Sequence, residues 1–180
     1  YRKLVGACAE NPQGRFNLAK LLYDSGDLDG AIAEYTRYQA MAPSDPAGFT
    51  GIAFPLEDKG DLEGALKAYE RAIALDPASP DPYVNAGLIL AKQGAFDKAA
   101  ASHEKALKID PQHGLAWQGL GEAHLGAKAY DKAEAALAKA VKMLPDNPNA
   151  LLDLAEALLG LGRIEEATRA GERAAALAPD

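Results

Sequence analysis

The chain has 180 residues and a mass of 18.9 kDa, and its 48% hydrophobic and 25% charged residues exclude an intrinsically disordered polymer. With 26 acidic against 19 basic residues it carries a net charge of -7, which opposes the counterion release that drives nucleic-acid binding. No apolar run approaches the roughly 18 residues of a membrane span, and one cysteine, Cys8, with three histidines supplies neither an internal disulfide nor a zinc ligand set. Nucleic acid, membrane insertion and a structural metal are therefore not expected, and no cofactor motif is present.

The 39 alanines and the 7% aromatic content favour helix over strand. Taken in order, residues 1–11 align with the back half of a second helix, so the chain is expected to open inside a truncated repeat and to be a fragment of something longer. Asn11-Pro12 then pairs an N-cap side chain with a proline whose missing N–H costs nothing in a first helical turn. It predicts a helix over 13–25, closed at Gly26, and a second over 28–41, ended by Pro43. Asp45-Pro46, Ser79-Pro80 and Asn147-Pro148 start later units in the same way. The paired helices predicted from them are 47–58 with 62–75, 81–92 with 96–109, 115–126 with 130–143, and 149–160 with 164–177. Acidic residues (Asp29, Glu63, Asp97, Asp131, Glu165) lie near the start of each second helix, where the helix dipole favours negative charge.

A fixed period runs through these elements. Pro43, Pro77, Pro111, Pro145 and Pro179 are each 34 residues apart, as are Ala31, Ala65, Ala99, Ala133 and Ala167. Gly26, Gly60, Gly94 and Gly162 keep the spacing with one departure, Lys128, and Leu28, Leu62, Phe96, Tyr130 and Ile164 keep it as an apolar position. Equal helical hairpins at a fixed period are the mark of a stacked solenoid, because no single hairpin can bury its own apolar face.

In the fourth unit Trp117, Leu120, Gly121, Ala133, Ala140 and Pro145 fall where the tetratricopeptide repeat (TPR) family places its signature. Phe49, Ile52 and Ala53, and Tyr83, Ala86 and Gly87, follow it more loosely. The chain resembles that family over essentially its whole length, departing from it at Arg15, His124, Gly171 and Lys128. The resemblance implies an all-α, right-handed superhelical solenoid of antiparallel helix hairpins. It would form one domain over 1–180: the second helix of a truncated repeat at 1–11, then repeats at 12–45, 46–79, 80–113, 114–147 and 148–180.

At 100° per residue, the fourth, seventh, eighth and eleventh places of each unit share a core stripe, and the fifth, ninth and twelfth point away from it. The outward set is Phe16, Lys20 and Tyr23; Thr50, Phe54 and Glu57; Val84, Leu88 and Ala91; Gln118, Glu122 and Leu125; and Leu152, Glu156 and Leu159. Nine of these fifteen are apolar, whereas a merely solvated face is polar, so they are expected to line a peptide-binding groove. Asn17, Asn85 and Gln118 are candidates for holding a peptide backbone. Lys20 lies in the first unit, and Asp81, Glu122, Asp153 and Glu156 lie in later ones, so the expected ligand is a protein or peptide segment with apolar anchors and basic residues toward the C-terminal units.

Chaperone-tail binders of the family hold a C-terminal carboxylate with two basic and two asparagine side chains spread over three units. The corresponding places here are Phe16, Lys20, Gly51, Asp81 and Asn85, and the paired cations are missing. No appreciable affinity for an acidic tail is expected.

Residues that suggest chemistry read as structural ones. His103 and His124 fall at packing places and are expected to be satisfied core histidines; His113 lies in a turn, where it caps or is solvated; Cys8 reads as a small apolar residue. No phosphate loop, nucleophile elbow or catalytic set occurs. Pro55, in a helix interior, removes the hydrogen bond to Gly51 and is expected to kink the helix. The reading is a non-catalytic interaction scaffold, cytoplasmic by default. The alternatives are the repeat arm of a larger enzyme, such as a glycosyl- or methyltransferase, and self-association through end faces that include Gly171, Ala174 and Ala175.

Overall fold

In the computed structural model, residues 11–177 are described, and they form ten helices and no strand. The helices are α1 (Pro12–Asp24), α2 (Leu28–Met41), α3 (Pro46–Asp58), α4 (Leu62–Leu75), α5 (Asp81–Lys92), α6 (Phe96–Ile109), α7 (Gly114–Gly126), α8 (Tyr130–Met143), α9 (Pro148–Gly160) and α10 (Ile164–Leu177). The expected boundaries hold to within one residue throughout. The expected helix in residues 1–10, Cys8 and Pro179 lie outside the described residues. None of these helices is long and apolar enough to cross a membrane.

Side chains fix the helix starts. Asn11, Asp45 and Asn147 accept from the backbone N–H two residues on, at 3.0, 2.9 and 3.0 Å, each followed by proline at the first position. His113 does the same for α7, its Nδ1 accepting from Ala116 N–H at 3.2 Å, so the turn histidine is a cap. Asp27 and Asp61 cap α2 and α4 through Gly30 and Gly64 N–H. The Ser79-Pro80 pair does not open its helix: α5 begins at Asp81, which places Pro82 in the first turn, where proline still loses no helical bond.

The glycine series ends each first helix in left-handed backbone, with φ from +73° to +83°, and Lys128 takes the same conformation at φ +58°. A side chain there costs about 1 kcal/mol or more against glycine. Nothing in the structure explains the lysine at this place.

The chain parts into two compact units, residues 1–82 and 83–180. In the first, α1 packs on α2 and α3 on α4, while α2 packs on α3. Its core holds Leu18, Leu22, Ala31, Tyr35, Tyr38, Ile52, Ala53 and Tyr69. Arg15, where the repeat elsewhere has a large apolar residue, reaches α2 and pairs with the buried Glu34 at 2.6 Å, and Arg37 shares that carboxylate. Helix α3 continues through Pro55 to Asp58, and the proline ring is fully buried. The Gly51 carbonyl therefore faces a buried ring, which favours a tolerated distortion over a ligand acceptor.

In the second unit α6 packs on α7, α7 on α8, α8 on α9 and α9 on α10, with further contact between α7 and α9. One core cluster joins Val84, Ala99, Ala106, Leu107, Ala116, Leu120 and Ala123; others gather Ala140, Ala150, Leu151 and Ala174, and Ala133, Leu137 and Ala157. Small residues on every helix let the backbones approach closely, as ridge-in-groove packing requires.

One position recurs every 34 residues on the second helices: Tyr35, Tyr69, His103, Leu137 and Gly171. In the second unit this place puts His103 between α5 and α7, where a methyl group added at Gly87 would come within 2.6 Å of its Nε2 and one at Gly119 within 2.3 Å of its Cε1. His103 is fully buried, and neither ring nitrogen has a hydrogen-bond partner among the described residues. It is the core histidine expected, but not a satisfied one, because glycines on both sides offer space and no polar side chain.

Candidate peptide-binding clefts

In the first unit the faces of α1 and α3 enclose a cleft of about 500 Å3. Five of the groove candidates line it: Phe16, Lys20 and Tyr23 from α1, and Thr50 and Phe54 from α3. They converge because residues four and seven apart share a helix face. Tyr35 and Gly51 complete the floor, where a methyl group at Gly51 would come within 2.5 Å of the Tyr35 ring. The rings are mutually braced: Phe16 meets Tyr35 edge-on at 5.5 Å, Tyr23 lies 6.3 Å from Phe54, and Phe54 meets Tyr69 at 6.2 Å. Phe54 keeps 38% of its surface exposed.

Of the other candidates in this unit, Asn17 lies outside the cleft, on the surface, accepting from Gln13 Nε2 at 3.0 Å. Glu57 is half-buried and acts electrostatically on Tyr23. Burial pushes the Tyr23 phenol up to about 12, helped by a hydrogen bond with Asp58 and by the charges of Asp58, Glu57 and Asp24.

The second unit has a smaller cleft of about 290 Å3, lined by the candidates Val84, Asn85, Leu88, Gln118 and Glu122 together with Leu115, Gly119, Asn147 and Asn149. Val84 and Gln118 are buried, at 4% and 8% exposure, so they form its floor rather than reach out of it. Gln118 organises the polar wall: its Nε2 donates to Glu122 Oε1 at 3.0 Å and Asp153 Oδ2 at 2.9 Å, and its Oε1 accepts from Asn147 Nδ2 at 3.1 Å. Burial raises both carboxyls above the usual range, and the Asp153 charge raises Glu122 further. The two carboxyls share one amide and are hydrogen-bonded to each other.

The remaining candidates are not brought into this cleft. Leu125 is partly buried against Ala133, Leu137 and Ala157. Leu152 and Leu159, at 53% and 56% exposure, flank the exposed Glu156 on α9 as an open apolar stripe. Sequence reasoning missed Tyr35, whose 34-residue spacing was the available signal, and Asn147, which was assigned to capping alone and also braces Gln118. Among the described residues, no group of three or more His, Cys, Asp and Glu side chains forms a metal site.

No curated protein matches the chain by sequence. Solved structures share its fold. MamA 41-end from Desulfovibrio magneticus RS-1 is 18% identical, with a TM-score of 0.83 over 93% of this chain and 95% of its own. YrrB, described as a TPR protein with an unusual peptide-binding site, is 19% identical with a TM-score of 0.75 over 99% and 92%. TTC0263, a thermophilic TPR protein of Thermus thermophilus, is 26% identical with a TM-score of 0.74 over 94% and 92%. Family models described as TPR repeat and tetratricopeptide repeat match residues 57–94, 90–142 with 124–180, and 1–46. With the ten helices of its described residues paired at a 34-residue period, the chain is an all-α helical-repeat solenoid and belongs to the tetratricopeptide repeat family.

Proposed function

We propose that the chain is a non-catalytic interaction scaffold that captures a peptide or protein segment carrying apolar and basic residues on the exposed faces of its first helices. The observation that carries this reading is the convergence of Phe16, Tyr23 and Phe54 on one open cleft, with Phe54 left 38% exposed. The Glu122 and Asp153 carboxylates, held by one buried amide, support basic residues in the ligand. The likeness to YrrB, whose description includes a peptide-binding site, is consistent with it.

The test is capture of binding proteins from a lysate, followed by calorimetry with the captured partner. Phe54→Ser, at a half-buried ring, and Leu159→Ser, at an exposed side chain, should weaken capture at least tenfold, with circular dichroism and thermal unfolding of each variant checking that the helices stay folded. Full capture by the double variant would place the site elsewhere. Leu88, packed against the second unit's core, is less suited to this test because its loss also weakens folding.

A further inference from the structure

Two of the hydroxyls that line the first cleft are used by the fold: Thr50 Oγ1 donates to the Pro46 carbonyl at 3.2 Å, and the Tyr23 hydroxyl is bonded with Asp58. The Tyr35 hydroxyl is not. Tyr35 keeps 4% of its surface exposed and lines the cleft from α2. Its hydroxyl has no hydrogen-bond partner among the described residues, and Asp24 acts on it through charge. Unlike the His103 nitrogens, which are sealed inside, this oxygen is not cut off from the cleft surface. Burial and the Asp24 charge raise the phenol above its ordinary value, so at neutral pH it stays protonated and can both donate and accept. The two charged groups of the lining, Lys20 and Asp24, stand one helical turn apart on α1 with opposite sign, so the complementary occupant is neutral. On α3, Ala47 and Gly51 share the face of Phe54 and leave a strip without bulk beside that ring, and the Tyr35 ring excludes any side chain at Gly51.

We propose that this cleft receives a tyrosine side chain of the partner segment, its ring among Phe16, Tyr23 and Phe54 and its hydroxyl bonded to that of Tyr35. A flat ring fits the strip over Ala47 and Gly51 and gains edge and offset contacts with the aromatic walls. A phenylalanine would cover the Tyr35 hydroxyl without pairing it, which forfeits a hydrogen bond that water otherwise supplies. An arginine or a glutamate would bring a charge that one member of the Lys20 and Asp24 pair attracts and the other repels. The proposal rests on the groove reading above and names the side chain its first cleft selects.

The test uses four capped pentapeptides, Ac-Ser-Gly-X-Gly-Ser-NH2 with X as tyrosine, phenylalanine, arginine or glutamate, titrated into the 15N-labelled chain. The expected result is movement of the Lys20, Gly51 and Phe54 amides, with the tyrosine peptide binding about fivefold more tightly than the phenylalanine peptide, the worth of one neutral hydrogen bond. The arginine and glutamate peptides should be weaker than both. Tyr35→Phe removes a hydroxyl the fold does not use, so it should leave thermal unfolding in place and bring the tyrosine and phenylalanine peptides to equal affinity. Ala47→Leu, at an exposed position on α3, should fill the strip and weaken both. Equal affinity for tyrosine and phenylalanine in the parent, or a tyrosine preference that survives Tyr35→Phe, overturns the assignment while leaving an apolar groove in place. Tighter binding of the arginine or glutamate peptide, or no movement of these amides with any peptide to about 5 mM, also overturns it. Capture of a partner through Phe54 and Leu159 is measured separately, so failure of the wider reading is distinguishable.

Discussion

His103 offers a sharp test of the physical account. It occupies the place that holds Tyr35, Tyr69 and Leu137 in other repeats, fully buried, with both nitrogens unmet among the described residues. An unsatisfied buried polar group costs about 1–3 kcal/mol, so His103→Leu, which copies Leu137, should stabilise the second unit by about that much at pH 7. Burial, with a smaller contribution from the His113 charge, lowers the imidazole to about 4 from its ordinary 6.5. The unfolded chain therefore binds the proton more readily than the folded one. Stability from this group is complete above pH 6.5 and is lost as pH falls toward 4. Between pH 7 and pH 5 the parent should lose about 2 kcal/mol relative to the variant, a gap that other titrating groups cancel from because both proteins carry them. Urea unfolding followed by circular dichroism at the two pH values measures it as a separation of midpoints growing by about 1 M, for a slope of about 2 kcal/mol/M. A constant separation, or a variant less stable than the parent at pH 7, would refute the claim that the imidazole is neutral and unpartnered.

Lys128→Gly should raise stability by about 1 kcal/mol, since it gives the left-handed position at φ +58° the residue its four counterparts have; a loss of melting temperature would contradict this. Glu34→Ala should cost more than Arg37→Ala, because it removes the buried carboxylate that both arginines engage, whereas Arg37→Ala, on the exposed side of that carboxylate, should cost under about 1 kcal/mol; thermal unfolding of the two variants measures the contrast. Pro55→Ala should stabilise the first unit by about 1 kcal/mol, the regained hydrogen bond to Gly51 exceeding the lost ring burial; lower stability in urea unfolding would show the proline to be a packing residue. Capture of a basic partner should weaken as pH falls, beginning above the usual carboxylate range because Glu122 and Asp153 are both raised; calorimetry at pH 7.5 and 5 tests it, and unchanged affinity would remove the pair from the site.

The elements were legible in the sequence because each boundary has its own chemical cause. Asn11, Asp45 and Asn147 name their helix starts through side-chain oxygens, and glycines at a fixed spacing name the stops. The start of α5 at Asp81 was legible although its opening proline was not, since Pro80 and Pro82 are both compatible with a first turn. Candidate side chains on α1 and α3 were legible for the same reason as the fold: helical periodicity alone puts Phe16, Lys20 and Tyr23 on one face.

Electrostatics was less legible, because it depends on which helix ends lie together and not on spacing within one helix. Asp24 and Asp58 are 34 residues apart, the same place in successive repeats, yet their common action on Tyr23 appears only once α1 and α3 stand side by side. The same holds for Gln118, whose role as a bracket between Glu122 and Asp153 links successive repeats through residues 35 apart.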